Sequence, residues 1–233
     1  MTGTPPLVHI DWKPCFRIIP SRFPPIGLFD RVAAPEDLEA VIELESMTNP
    51  RLRDEIGEIQ LIPPDERISG PGTSIIMAAF TYLNPEGSRF TDGSYGVFYA
   101  GNDLDTAIAE TVYHAARFMR RTKEAAQELD RRVYLVDLDG ELHDIRGRQA
   151  TYPLVYDNEN YPPGQHLART LRAAGSNGIT YTSVRRPAGE CVAVFRPKLL
   201  ANCRQERHLC YVWDGEKVRD VYEKRSLAGN ASS

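Results

Sequence analysis

From Leu104 onward the apolar residues Leu104, Ile108, Val112, Ala115 and Met119 recur every three or four positions, which gathers them on one face of a 3.6-residue helix. The pattern predicts a helix over "NDLDTAIAETVYHAARFMRRTKEAAQEL", opened by Asn102 or Asp103 as the capping residue. Directly upstream the period changes to two. "YGVFYA" alternates and carries aromatic and β-branched residues, so it predicts a strand with Tyr95, Val97 and Tyr99 on one face and Phe98 on the other. Further strands are expected at "RRVYLVDLD", bounded by Gly140, at "ITYTSV", and at "CVAVFRP", joined to the last through the turn "RRPAGE" as a hairpin. "HLCYVW" reads as a last short strand, and "PGQHLARTLRAAGSNG" as a helix stopped by Gly175.

The N-terminal half is less periodic. Prolines at 5, 6, 14, 20, 24 and 25 exclude a long helix from Pro5 to Phe29 and imply extended chain with turns. "APEDLEAVIELESM" then predicts a helix, with Pro35, Glu36 and Asp37 in its first turn and Leu38, Val41, Ile42 and Met47 along one face, ending before "TNP". The turn-rich "IPPDERISGPG" leads to a short apolar helix, "TSIIMAAFTYL", capped by Thr73 or Ser74. The end, "SLAGNASS", reads as a frayed tail. Strand pairs with helices between them, rather than strict alternation, point to an α+β fold: one compact domain with a mixed or antiparallel sheet and flanking helices. An N-terminal elaboration over about 1–85 and a short tail over about 225–233 complete the expected organisation.

Composition narrows the function classes. At 233 residues and 42% hydrophobic content the chain can bury one substantial core. The net charge of −4 provides no basic footprint for binding nucleic-acid phosphates. Cys15, Cys191, Cys203 and Cys210 form no CxxC pair and match no usual zinc spacing, which fits scattered thiols in a reducing compartment. The start "MTGTPPLVHIDWKP" has no basic and apolar leader pattern, and no apolar run approaches ~18 residues. A soluble, cytoplasmic protein without membrane contact is expected.

Glu110 is the position that the apolar pattern does not absorb. Its neighbours on its own helix face are Ala107, Tyr113 and His114. Small residues beside a carboxylate leave room for another group, and a helix leaving a strand through a Gly-Asn-Asp turn often borders a ligand cleft. The competing reading is an exposed glutamate paired with Arg117. Tyr99 lies beside the same turn, and Arg89 in the loop "GSRFTDG" can grip phosphate bidentately. Arginine, tyrosine and glutamate on one strand–turn–helix unit suit a phosphate-bearing substrate with a flat ring.

Arg89, Tyr99 and Glu110, with "GVFYAGNDLDTAIAETVYH" around them and Ser183 in "GITYTSVRRPAGECVAVFRP", resemble the RES domain, named for its Arg, Glu and Ser. The resemblance runs from "FRI" at Phe16 to about Pro197. It implies a fold related to ADP-ribosyltransferases and a toxin of a type II toxin–antitoxin module, paired with an Xre-like helix-turn-helix antitoxin in a hetero-oligomer. It also implies NAD+ as a consumed substrate, with ADP-ribose passed to a protein, to water or to phosphate, and no metal. Carried over by position, Glu110, Arg89 and Tyr99 are the implied catalytic set, and Arg17, Arg89, Tyr99 and Ser183 the implied NAD+-binding set. The chain departs from the family's usual Gly-rich, Trp-containing stretch of the kind "GGRWN", with Phe90 at the aromatic position, and its segment from Arg31 to Pro85 is longer than a minimal domain needs.

Those residue types fit the implied chemistry. Cleaving the nicotinamide–ribose bond develops positive charge on the sugar, and the leaving group is already cationic, so an anion is needed and a general acid is not. "YTSVR" lacks a nucleophile elbow, so Ser183 reads as a polar contact to substrate or as a strand-end hydroxyl held by backbone. "GPGTS" and "AGNDLD" lack the glycine spacing of a P-loop or a Rossmann fingerprint. His114 reads as packed or solvent-facing, and His9, His143, His166 and His208 offer nothing specific. The other classes left open are a non-catalytic nucleotide- or partner-binding module using the same cleft, and an RNA-cleaving toxin, which the acidic balance disfavours.

Overall fold

The structure, a computed structural model, describes residues 3–21, 30 and 58–225. The helix expected over "APEDLEAVIELESM" and the tail "SLAGNASS" lie outside the described residues. Among the described residues seven strands and three α-helices follow one another: β1 Leu7–Pro20, α1 Thr73–Thr81, β2 Phe98–Gly101, α2 Leu104–Thr122, β3 Gln127–Asp144, α3 Pro162–Ala173, β4 Gly178–Thr182, β5 Glu190–Val194, β6 Leu200–Trp213 and β7 Val218–Lys224. The fold is α+β with a mixed sheet, as the sequence implies. Among the described residues no helix is long and apolar enough to cross a membrane.

The strand order is β1-β2-β5-β4-β3-β6-β7, and β1 also pairs with β3, so the first five strands form a closed circuit of pairings. All contacts are antiparallel except the short parallel step from His143 and Asp144 to Ile179 and Thr180. β1 runs along β3 from Leu7 opposite His143 to Pro20 opposite Arg131. The register shifts between Trp12 and Cys15, where Pro14 cannot donate to a ladder. Up to Pro20 the prolines therefore permit the extended chain that they predict, and Pro24 and Pro25 lie outside the described residues.

Several boundaries differ from the sequence expectation. α2 stops at Thr122 instead of continuing through Leu129, because Lys123 turns left-handed at φ 54° and the Glu124 amide donates back to Met119 at 3.0 Å. The last three residues of the helix-favouring "AAQEL" are drawn into β3 by its partner strand, with Gln127 opposite Trp213. β3 also runs through Gly140, where a β-carbon would lie 2.6 Å from the Leu199 side chain. That glycine marks a close approach and not a strand end. α1 is capped by Gly72 at φ 80° rather than by Thr73 or Ser74, and the Ser74 backbone amide donates to the Asp30 carboxylate at 2.9 Å. β6 begins eight residues before "HLCYVW", and β7 follows it.

β2 starts at Phe98, three residues later than expected, yet the alternation of faces holds from Tyr95 on. Phe98 and Ala100 enter one buried cluster with Ile76, Met77, Phe80 and Val136. Tyr95 and Val97, with Tyr99 packed against them, enter a second cluster with Phe90, Tyr181 and Ala193. Each fully buried large apolar side chain contributes about 1.5–3 kcal/mol. β2 is thereby clamped on both faces, and the turn leading from it to α2 starts from a fixed point.

Candidate active site

Asp103 begins α2 in extended conformation and accepts the Thr106 amide at 2.7 Å. The same carboxylate receives Arg186 from the turn between β4 and β5 at 2.9 Å, and Arg186 also reaches Thr106 Oγ1 at 3.1 Å. Gly189 lets that turn lie flat on the helix, since a β-carbon there would sit 2.6 Å from Thr106 Oγ1. The helix cap and the hairpin turn are thus one unit.

This unit brings Ser183, just past β4, to Glu110, two turns into α2. Ser183 Oγ accepts the amides of Arg185 at 3.1 Å and Arg186 at 3.0 Å and donates to Glu110 Oε1 at 2.7 Å. With both lone pairs engaged, the single hydroxyl proton has one direction to take. Charge-assisted bonds of this kind are about twice as strong as neutral ones. Arg117, the competing partner for Glu110, lies over the Tyr161 ring at 5.2 Å, and among the described residues no ion pair joins it to Glu110.

Glu110 faces a cavity of about 450 Å³ whose walls include Arg17, Arg89, Tyr99 and His114. Arg17 arrives from β1 through the contact of Phe16 with Gly101 of β2. Its Nη1 donates to the Tyr99 carbonyl at 3.0 Å and its guanidinium lies 4.6 Å from the Phe98 ring centroid. Its buried Nε has no hydrogen-bond partner, and among the described residues no carboxylate pairs with it. Burial brings its pKa down to about 10, so it stays charged at neutral pH.

Arg89 is buried, and its Nη1 donates to the carbonyls of Val155 at 2.6 Å and Asp157 at 2.7 Å. The turn that carries it is fixed by Ser88 and Thr91 at 2.7 Å and by Gln165, which donates to the Ser88 carbonyl at 3.0 Å. Gly164 at the start of α3 makes room for the Arg89 carbonyl, 2.4 Å from where a β-carbon would be. Tyr99 lines the cavity, while its hydroxyl is hydrogen-bonded to Ser88 Oγ at 2.7 Å and accepts the Phe90 amide at 3.0 Å. Burial pushes this phenol above its usual range.

Four of the five expected residues, Arg17, Arg89, Tyr99 and Glu110, therefore line one cavity, and Ser183 stands behind Glu110 without lining it. His114, one helical turn beyond Glu110, has an accessible ring, yet the surrounding walls, followed by the charges of Arg185, Arg117 and Arg89, push its pKa down to about 4. It is neutral at physiological pH. Tyr181 and Cys191 of the β4–β5 hairpin complete the floor. They carry no motif, and only the pairing of the two strands brings them there.

Among the described residues the grouping with metal-ligand atoms, Glu128, Asp130 and Cys210, is outside the cavity. Lys224 already occupies it, at 3.0 Å from Glu128 and 2.6 Å from Asp130.

The RES domain family model matches residues 65–214, well over half of the chain. A protein of Sinorhizobium fredii (strain NBRC 101917 / NGR234), "Uncharacterized protein y4oC", is 35% identical over 208 residues, covering 89% of this chain and 86% of that one. Among solved structures, a chain of the M. tuberculosis MbcT-MbcA toxin-antitoxin complex is similar at a TM-score of 0.47 and 12% identity, over 87% of this chain and 85% of that one. The family match contains Arg89, Tyr99, Glu110 and Ser183, with Arg17 ahead of it. The chain belongs to the RES-domain family.

Proposed function

We propose that the protein cleaves the nicotinamide–ribose bond of NAD+ and acts as the toxin of a toxin–antitoxin pair. The observation that carries this reading is the pairing of opposites in one cavity. A carboxylate held by Ser183 lines the same cavity as Arg17, a buried cation with no acidic partner among the described residues. An unpaired buried charge costs several kcal/mol, and a site keeps one where a ligand completes it. A diphosphate supplies the anion for Arg17 and, across the cavity, Arg89. The Tyr99 ring supplies a face for nicotinamide.

In this reading Glu110 stabilises the positive charge that develops on the ribose as the cationic nicotinamide departs. Neutral His114 adds no competing cation near that centre. The ADP-ribose then passes to water, phosphate or a protein side chain, and NAD+ loss or target modification arrests growth. An Xre-like helix-turn-helix antitoxin silences the protein by covering the cavity mouth, in a cytoplasmic hetero-oligomer.

The test is purified protein, free of any partner, incubated with NAD+ and followed for nicotinamide release, beside Glu110→Gln. Release by the wild type and a loss of ~10²–10³ in the variant are expected. Saturable NAD+ binding with no nicotinamide released by either protein would replace the enzyme reading with a binding module. Labelled NAD+ with cell lysate separates the acceptors, since only transfer to protein leaves label on the macromolecular fraction.

A further inference from the structure

Glu110 is held from two sides at one oxygen. Ser183 donates to Oε1 at 2.7 Å, and the Cys191 thiol lies 3.9 Å from that same oxygen, within hydrogen-bond range for sulfur. Oε2 receives no hydrogen bond from the described residues, and Glu110 lines the cavity. We propose that Cys191 is a positioning residue, which together with Ser183 engages Oε1 and so leaves Oε2 as the single oxygen presented to substrate. This rests on the reading of Glu110 as the carboxylate that meets the ribose.

The sulfur is in a place where it cannot wander. Cys191 sits in β5 with Tyr181 of β4 opposite on one side and Gly101 of β2 opposite on the other. Its residue is 2% exposed. Thr180 Oγ1 donates to its carbonyl at 3.3 Å. Burial first, then the Glu110 charge, pushes its pKa far above the usual thiol range. The group is therefore a thiol with a proton to donate, and not a competing anion beside Glu110. A carboxylate that rotates freely presents either oxygen; one bound twice at Oε1 presents the other in a fixed direction, which is what an electrostatic partner for a developing charge requires.

The roles of a thiol and of mere packing separate by substitution. Cys191→Ala removes the donor, and Cys191→Ser keeps one at nearly the same size. The expected result is a fall of about three- to tenfold in kcat for alanine, the range of a weak hydrogen bond lost, with KM within about twofold, and recovery in serine. Equal losses in both variants, or a rise in KM alone, would overturn the proposal.

A second measurement needs no turnover. The S–H stretching band of Cys191 is assigned by its disappearance in Cys191→Ser. It should move to higher wavenumber in Glu110→Gln, whose neutral amide is a poorer acceptor than a carboxylate. An unmoved band would refute the contact itself. A shifted band in a protein that releases no nicotinamide would leave the Cys191–Glu110 contact standing and remove only the proposed reaction.

Discussion

Replacing Arg17 by methionine is expected to leave the fold intact while removing phosphate binding. Burial brings the guanidinium from its ordinary range, above 12, down to about 10. At about 1.4 kcal/mol per pH unit, ~3 kcal/mol opposes the charged form in its folded place. The contacts that offset this are the bond to the Tyr99 carbonyl and the stacking on Phe98. A charged hydrogen bond contributes ~1.5–3 kcal/mol and such a stacking contact ~1 kcal/mol. The two sides nearly cancel, and methionine fills much of the same volume without the charge. For a chain of this size 1 kcal/mol moves Tm by about 2–4 °C. Calorimetry should therefore find Arg17→Met within a few degrees of the wild type, while titration with NAD+ shows at least a tenfold weaker Kd. A fall in Tm of about 8 °C or more would mean that Arg17 holds the fold together, and the ligand argument drawn from its unpaired Nε would fail.

Other outcomes follow from the same contacts. His114 is held neutral to about 4 when folded and titrates near 6.5 when unfolded, so its contribution is complete above ~6.5 and is lost as pH falls toward ~4. With the ring accessible to solvent the effect is ~1 kcal/mol at most, and His114→Asn should flatten that part of the Tm–pH curve; parallel curves would count against it. Asp103→Ala loses both the α2 cap and the Arg186 contact and should cost about 1–2 kcal/mol in urea unfolding, whereas Asp103→Asn keeps the cap and loses less. Gly189→Ala should destabilise by ~1–3 kcal/mol, and much of this should return in the double variant with Thr106→Ala, which removes the side-chain atoms that the new methyl meets. Additive losses in that cycle would show that the two positions do not touch.

The sequence was most legible where one side chain's fate depends on its near neighbours. The period of two in "YGVFYA" placed Phe98 and Tyr99 on opposite faces, and the two buried clusters divide them in that way. Gly175 ended α3 as its φ of 84° requires. The failures share a cause in distant pairing. "AAQEL" has every local reason to be helix, and only Trp213 and its neighbours opposite make Gln127, Glu128 and Leu129 strand. The polar first half of β6 has no apolar alternation and is ordered by the ladder to β3. At the site, Glu110 stood out through the residues around it. Arg17 meets Tyr99 across 82 residues, and Cys191 meets Glu110 across 81, separations at which local spacing carries no signal. Arg89 was expected from its chemistry, but its two carbonyl partners at Val155 and Asp157 were not, because nothing in the loop wording announces them.

The closed circuit of strands also sets an order of events during synthesis. β1 leaves the ribosome first, yet its partner β3 lies more than a hundred residues later, and β2 acquires its main partner only when β5 emerges. Contacts this distant form late. Until residue 194 is free, Arg17, Tyr99 and Glu110 exist on one chain without sharing a cavity, so a chain that ends before β5 lacks the assembled cavity. The architecture thereby delays the assembled cavity until both ends of the circuit, β1 and β5, have been made.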